Sequence, residues 1–590
     1  MESALLLLGI PLAAALLLLP ALGLAVRYAV STAVFLSLSF LSVQLFFSGG
    51  GGVYLLDHAT HWLVIGLDTV LLLFFAYEGF VHKEKRVYLL ALLQLALYGI
   101  VEASIGQHGG DDIVMDELSR WMFLIINIVG GIIVLYAVKY MEYEATSGFK
   151  KRLFILYLLM FLAIMNLIVM ANSIMLFFFL FEMTTLASYL LIGFRKDGIA
   201  VHNALRALWM NQVGGVAILL GALVAVIYND PLYFDQLVGS DSCFIVIPAA
   251  FLSVAALVKG AAIPFEKWLL GAMVAPTPVS AMLHSATMVK IAPFLILKLS
   301  IILAGTAVGA TVSVTGALVF AVASYLALAK DQLKEILGLS TIAMLGLMVS
   351  MGALGSKEGV YVALVLILFH ALGKALLFLT AGVLEKEEHA KSIEAMKGLI
   401  DRSPKAAMFL MVGFITMALP PFGLFIGKLF AIETVIAGMH DHPWLLLNLL
   451  GISIGGVLIT LLYFKVASAL LARDSDLSAQ KRAIPFGFSW GLWTLSFLAV
   501  LLMFIVASQF FAAEPGSFAF LILPLLVAAL LPLILGRLAK FDRVKEYHCG
   551  EKASFDAALI YYDVSDGTIR RIYYVFGALF VLILIAGVMV

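Results

Sequence analysis

Seven titratable side chains stand inside apolar stretches where lipid-spanning sequence ordinarily holds none: Glu182, Lys259, His284, Lys290, His370, Lys374 and Lys428. Ionisable groups at mid-membrane depth are costly, so a chain that keeps several of them points to charge movement. Glu182 lies in LFFFLFEMTTLASYLLIGF and Lys259 in FLSVAALVKGAAIPF. Brought together, each charge offsets the desolvation of the other; the plainer alternative is a static ion pair that fixes helix packing. Burial favours the neutral amine of a lysine, which brings proton release into reach. His284 and Lys290 share one span, six positions apart, so they face different sides about 9 Å apart along the axis. One could take a proton from Lys259 and the other pass it on, although a neutral, hydrogen-bonded His284 serves packing equally well. His370 and Lys374, in LILFHALGKALLFL, are four apart and share a helix face. Lys428 follows Pro420 and Pro421 in ALPPFGLFIGKLF. Backbone freed by such a break must face protein or water, not lipid.

Other polar groups read more plainly. Lys298, Lys465, Lys267 and Arg206 lie near span ends, where long basic side chains snorkel. Asn211 and Gln212 line a wet path or bond between helices, the second being the simpler reading. Glu78 and Glu102, near the ends of the third and fourth spans, receive no role.

The elements that must position these residues are membrane helices. The 590 residues are 63% hydrophobic and 13% charged, against roughly half and a quarter in a soluble domain. Apolar runs lie near 3–25, 28–47, 62–81, 87–106, 119–140, 153–170, 171–194, 204–228, 244–272, 277–299, 303–328, 333–354, 358–384, 405–437, 447–472, 487–511, 517–536 and 572–590. That makes about 18 spans of roughly 20 residues each. The acidic start, MESALLLLGI, favours a first membrane helix over a cleaved signal peptide. Formal net charge is zero, which gives a nucleic-acid partner no electrostatic support. Two cysteines, Cys243 and Cys549, cannot build a disulfide framework, a zinc site or an iron–sulfur cluster.

Charge bias orients the spans. With the N-terminus outside, about 27 of the 37 basic residues fall in inside loops, such as His82–Arg86, Gly148–Arg152 and Arg473–Arg482. Outside loops such as Asn229–Ser242 and His440–Pro443 contain no Lys or Arg. Both termini are then expected outside, in the cytoplasmic membrane of a prokaryotic cell. Five spans from about 153 to 299 precede five from about 303 to 472. The fourth of each set joins a buried lysine to a proline interruption: Lys259 with Pro264, then Lys428 with Pro420 and Pro421. Interrupted helices at matching places in two halves point to a transporter built on repeats.

FEMTTLASYLLIGF, VKGAAIPFEKWLLGAMVAPTPVSAMLHSATMVK, FHALGKALLFLTAG and LPPFGLFIGKL resemble the antiporter-like proton-pumping subunits of respiratory complex I. That family includes the large Mrp antiporter subunits and the membrane arms of energy-converting, membrane-bound nickel–iron hydrogenases and formate hydrogenlyases. The resemblance covers roughly 116–472. It implies an all-α polytopic membrane protein whose core of about fourteen helices holds two inverted five-helix repeats with broken helices. Residue by residue, it implies that Glu182 and Lys259 form the input pair. His284 and Lys290 would be the connecting relay, His370 and Lys374 its continuation, and Lys428 the exit-side group. The implied units are 1–115, with two extra spans at about 62–106; 116–300, the third core helix and first repeat; 301–472, the second repeat; and 473–590. EYHCGE (Glu546–Glu551) before the last span resembles the hydrogenase and formate hydrogenlyase members. The absence of the very long C-terminal extension of the largest Mrp subunit weighs the same way. A long lateral helix has little room in the 36 or so residues between the last two spans.

The expected function is proton translocation within a multi-subunit, redox-driven pump. No cofactor is expected in this chain; iron–sulfur clusters and nickel–iron or quinone chemistry would lie in partner subunits. Those partners are other membrane subunits and a peripheral redox arm, with protons, or sodium, as cargo. A sodium–proton antiporter module and a non-pumping membrane scaffold are the rivals.

Overall fold

The computed structural model describes residues 2–20, 23–49, 51–104, 110–240, 242–418, 423–471, 483–513 and 564–589. Expectations for Pro420, Pro421, Arg473–Arg482, the span at 517–536, the lateral helix and Glu546–Glu551 fall outside the described residues. Fifteen helices among the described residues are long and apolar enough to cross a membrane, and two shorter ones stand at positions 4–17 and 243–259. The helices in order are α1 (Glu2–Leu17), α2 (Leu24–Ser48), α3 (His58–Val81) and α4 (Lys85–Ser104). There follow α5 (Glu117–Tyr143), α6 (Gly148–Ile168), α7 (Ile174–Arg195), α8 (Gly198–Ile227), α9 (Cys243–Lys259) and α10 (Thr277–Leu303). Then come α11 (Ala307–Leu328), α12 (Leu333–Gly352) and α13 (Lys357–Glu388). The last are α14 (Pro404–Ala418), α15 (Gly423–Gly438), α16 (Leu445–Leu471), α17 (Phe486–Ala513) and α18 (Asp566–Val588).

The loops start these helices with short polar caps. Asp57, Asp116, Ser147, Ser173, Asp197, Thr306, Ser356 and Ser565 each accept a hydrogen bond from a backbone N–H in the first turn of the helix that follows. Such a side chain satisfies one of the amides that a helix start leaves unpaired. Between helices, small residues set the closest approach. Gly316 on α11 and Gly346 on α12 face each other, and a Cβ on Gly316 would lie 2.5 Å from the Gly346 carbonyl oxygen. Backbones come this close where side chains are absent.

The run at 244–272 is not one helix. α9 stops at Lys259; Gly260 to Phe265 form turns; and a short helix resumes at Glu266–Gly271. Pro264 removes a backbone donor just there. α10 is interrupted as well, which the sequence reading did not foresee. It winds into a π turn over Met282–Ala286, leaves helical geometry at Thr287 (φ −126°, ψ −110°), and resumes through a 3-10 turn at Met288–Lys290. Thus His284 and Lys290 belong to two different pieces of one span.

Two sets of five crossings lie side by side: α6 to α10, and α11 to α16 with α14 and α15 counted as one crossing. An odd number of crossings makes the second set begin on the opposite face from the first. The α3–α4 hairpin stands outside both sets, packed on α7 and α8. A two-stranded antiparallel ribbon closes its stem: β1 (Gly52–Tyr54) pairs with β2 (Ile113–Met115), Tyr54 opposite Ile113. Trp62, Leu67, Tyr77 and Phe80 of α3 point outward, as an apolar lipid-facing surface requires.

Candidate functional site

All seven titratable residues are interior. Glu182, Lys259, His284, Lys290, His370 and Lys374 are fully buried, and Lys428 is 6% exposed.

Lys259 is the last residue of α9, so its ammonium reaches across to α7 from a helix end. It donates to the Phe181 carbonyl oxygen (3.0 Å) and to Thr185 Oγ1 (2.9 Å), 3.8 Å above the Phe181 ring centroid. Thr185 in turn donates to the same carbonyl (3.1 Å). Glu182 looks elsewhere: its Oε1 accepts from Gln94 Nε2 of α4 (2.8 Å), and its Oε2 has no hydrogen-bond partner. The expected Glu182–Lys259 pair is therefore not a contact ion pair. The cause is helical geometry. Phe181 and Thr185 are four apart on one face, whereas Glu182 is rotated about 100° from Phe181 and about 60° from Thr185, toward α4 and α8. Thr185 stands between the two charges. On α8, a methyl group at Gly215 would collide with Glu182 Oε1 and Gln94 Nε2, so only glycine leaves room for that bond.

The second cluster joins the two sets of helices. Lys290, in the 3-10 turn of α10, meets His370 Nδ1 of α13 at 2.5 Å. Either the ammonium donates to a neutral ring nitrogen, or an amine accepts from Nδ1–H; the two differ only in where one proton sits. His370 Nε2 has no partner. One turn on, Lys374 donates to the Leu337 carbonyl oxygen (2.8 Å) and Ser340 Oγ (2.5 Å) of α12. The His284 ring lies 4.7 Å from that of Phe378, with neither nitrogen bonded. His370, Lys374 and Phe378 follow at four-residue steps and make one stripe of α13. His284 therefore borders this stripe and does not bond to Lys290. The Lys428 ammonium of α15 sits 5.8 Å from the Phe425 ring centroid.

Several span-end bases are clamped, not snorkelling. Lys298 pairs with Asp116 (3.2 Å), and Lys465 donates to the carbonyl oxygens of Leu328 and Lys330 (2.9 Å each). Both lysine side chains are almost wholly buried. Arg206 meets His202 at 2.8 Å, and Lys267 lies 4.9 Å from the Tyr573 ring centroid. Gln212 does bond between helices, reaching Gln94 Oε1 at 3.4 Å, while Asn211 bonds within its own helix to Ala207. At the loop face near residue 144, Glu144 accepts from Arg195 and Lys386, both at 2.9 Å, tying the ends of α5, α7 and α13. Burial raises the Glu144 pKa, but Lys386 and Arg195 outweigh it and hold the carboxyl below its ordinary value. Among the described residues, no group of three or more His, Cys, Asp or Glu is placed to hold a metal ion.

The sequence reading missed Gln94, Thr185, Ser340 and Asp68. Gln94 and Asp68 interrupt apolar runs as plainly as Glu182 does, so the signal was present. Thr185 and Ser340 gave none, because hydroxyls are ordinary inside membrane helices.

Comparison with known proteins bears on the chain as a whole. A family model described as NADH:quinone oxidoreductase/Mrp antiporter, transmembrane, matches residues 171–455. One described as complex I chain 5 N-terminus matches residues 112–149. An antiporter subunit of Staphylococcus epidermidis, mnhA2, is 30% identical over 437 residues, covering 70% of this chain and 54% of that protein. The Na(+)/H(+) antiporter subunit A1 of Staphylococcus haemolyticus is 29% identical over 352 residues, covering 56% of this chain and 43% of that protein. The chain thus spans about half the length of these relatives. Among solved structures, a chain of the archaeal membrane-bound sulfane sulfur reductase superposes with a TM-score of 0.68 at 18% identity, over 86% of this chain and 96% of that one. A chain of the Mrp complex from Dietzia sp. DQ12-45-1b gives 0.58 at 17%, over 75% and 95%. At these identities the structural likeness speaks for the fold.

Proposed function

Because the chain belongs to the antiporter-like membrane-subunit family shared by complex I and the Mrp antiporters, we propose that it translocates protons within a multi-subunit, redox-driven membrane complex. The observation that carries this reading is the interior Lys290–His370 contact, which links a titratable cluster of one five-helix set to that of the other. Protons would enter at Glu182 and Lys259, pass along Lys290, His370 and Lys374, with His284 beside them, and leave at Lys428. A change in a neighbouring subunit would shift the balance between Glu182 and Lys259 across Thr185 and start the transfer. Redox chemistry belongs to partner subunits on this reading. Iron–sulfur clusters with nickel–iron or quinone chemistry, in a peripheral arm, are the expected form. The hydrogenase-type branch rests on the sequence at Glu546–Glu551. A prokaryotic cell membrane, with both termini outside, is the proposed location.

The test is the whole complex reconstituted in vesicles with a luminal pH dye. Lys259→Ala should abolish proton movement and leave assembly intact; normal pumping by that variant overturns the assignment. Sodium–proton exchange is the second reading, supported by the names of the staphylococcal relatives. Varying sodium at fixed pH separates the two: only the antiporter shows proton flux that follows the sodium gradient. A scaffold would show altered complex stability and unaltered coupling when each of the seven titratable residues is replaced in turn. The identity of the co-purifying subunits decides the branch.

A further inference from the structure

The α3–α4 hairpin lies outside both matched regions. Its inward side is nonetheless polar. Gln94, Tyr98 and Glu102 of α4 stand four apart, so they form one stripe that climbs about 6 Å at each step. At the deep end, Gln94 holds Glu182 Oε1 (2.8 Å) and the Gln212 carbonyl oxygen (3.1 Å). At the shallow end, Glu102 lies 3.9 Å from His61 Nε2, and these side chains keep 14% and 19% of their surface exposed. Between the two ends stands Asp68 of α3. It is fully buried, neither oxygen has a hydrogen-bond partner, and no ion pair within 4 Å reaches it among the described residues. Asp68 lies seven residues, about 10 Å, along α3 from His61, and Gln94 eight residues, about 12 Å, along α4 from Glu102, so both descend from the same pair.

A buried carboxylate with no cation and no donor is unstable as an anion. It must carry a proton or a small cation. We propose that the hairpin is an entry branch for protons, leading from His61 and Glu102 at the ribbon face, through Asp68, to Glu182. Gln94 is a positioning residue: by occupying Oε1 it leaves Oε2 of Glu182 as the free acceptor. In the transfer the O–H bond on Asp68 breaks and one forms on Glu182 Oε2. The orphaned oxygens on both residues are where a bridging water would sit. Glu182 then passes its proton to the Lys259 amine, and Asp68 is recharged from Glu102. The branch rests on the reading of Glu182 and Lys259 as the start of the transfer axis.

The experiment uses the intact complex in the same vesicles, with Asp68→Asn, Asp68→Glu, Glu102→Gln and Lys259→Ala compared side by side. Asp68→Asn should lower proton movement at least about tenfold, on the scale of losing one proton-transfer group. Asp68→Glu should restore most of it, and Glu102→Gln should fall between. If Lys259→Ala abolishes transfer while Asp68→Asn runs at the parent rate, the branch is wrong and the axis stands. If Lys259→Ala itself runs at the parent rate, the axis reading fails first. Infrared difference spectroscopy supplies a readout independent of flux. The carbonyl stretch of a protonated acid should vanish in Asp68→Asn and move in Asp68→Glu, which covers a poorly assembling Asn variant. A parent complex with no such band, stabilised instead by added sodium, overturns the proton form of the proposal.

Discussion

At the scale of single residues, the interior lysines are held by neutral oxygens. Lys259 rests on a carbonyl and a threonine hydroxyl, and Lys374 on a carbonyl and a serine hydroxyl. Thr185→Val should therefore cost about 1.5–3 kcal/mol if the Lys259 ammonium is charged, and about 1 if it is neutral. Denaturation of the purified protein in detergent measures the difference. A double-mutant cycle on Lys290 and His370, with Met and Phe as replacements, should give a coupling of about 0.5–3 kcal/mol. Additivity of the two changes would contradict the contact. Glu144 gives a pH prediction with a definite sign. Its folded pKa is depressed, so its contribution is present above the ordinary glutamate value of about 4.3 and is lost as pH falls below it. Glu144→Gln should cost about 1–2 kcal/mol at neutral pH, and the gap from the parent should close on acidification. Glu182, Lys259, Lys290 and Lys374 were legible in the sequence because a charge in an apolar run stands out. Their bonding partners were not, because a hydroxyl or a carbonyl there looks like any other.

At the scale of elements, breaks matter more than helices. The stop of α9 at Lys259 was legible from Pro264. The unwinding of α10 at Thr287 was not, because no proline or glycine lies between Met282 and Lys290 to announce it. It puts Lys290 in a turn of its own, beside α13. The hairpin was legible as two extra spans, but its closure was not, since 58 residues separate the end of β1 from the start of β2. With Tyr54 opposite Ile113, a two-residue Asn-Gly turn can replace residues 55–112. That shortened chain should still insert and co-purify with its partners, while losing Gln94 from Glu182 and with it most proton movement. Failure to insert would mean that the hairpin is part of the folding core.

At the scale of the molecule, the alternation of basic loops predicts one orientation, with the N-terminus outside. Cys243 is exposed at the start of α9, after a loop without Lys or Arg. In a Cys549→Ser background, a membrane-impermeant maleimide should label Cys243 in whole cells and not in inside-out vesicles. The reverse pattern would turn the whole topology over.

The Lys290–His370 bond spans the seam between α10 of one five-helix set and α13 of the other. Relative sliding of the two sets by an ångström or so would stretch that bond beyond hydrogen-bonding length. If protons follow the proposed route, conduction and the relative placement of the two sets are mechanically tied. On the proposed route, a tilt of one set against the other would open or close proton transfer at this contact.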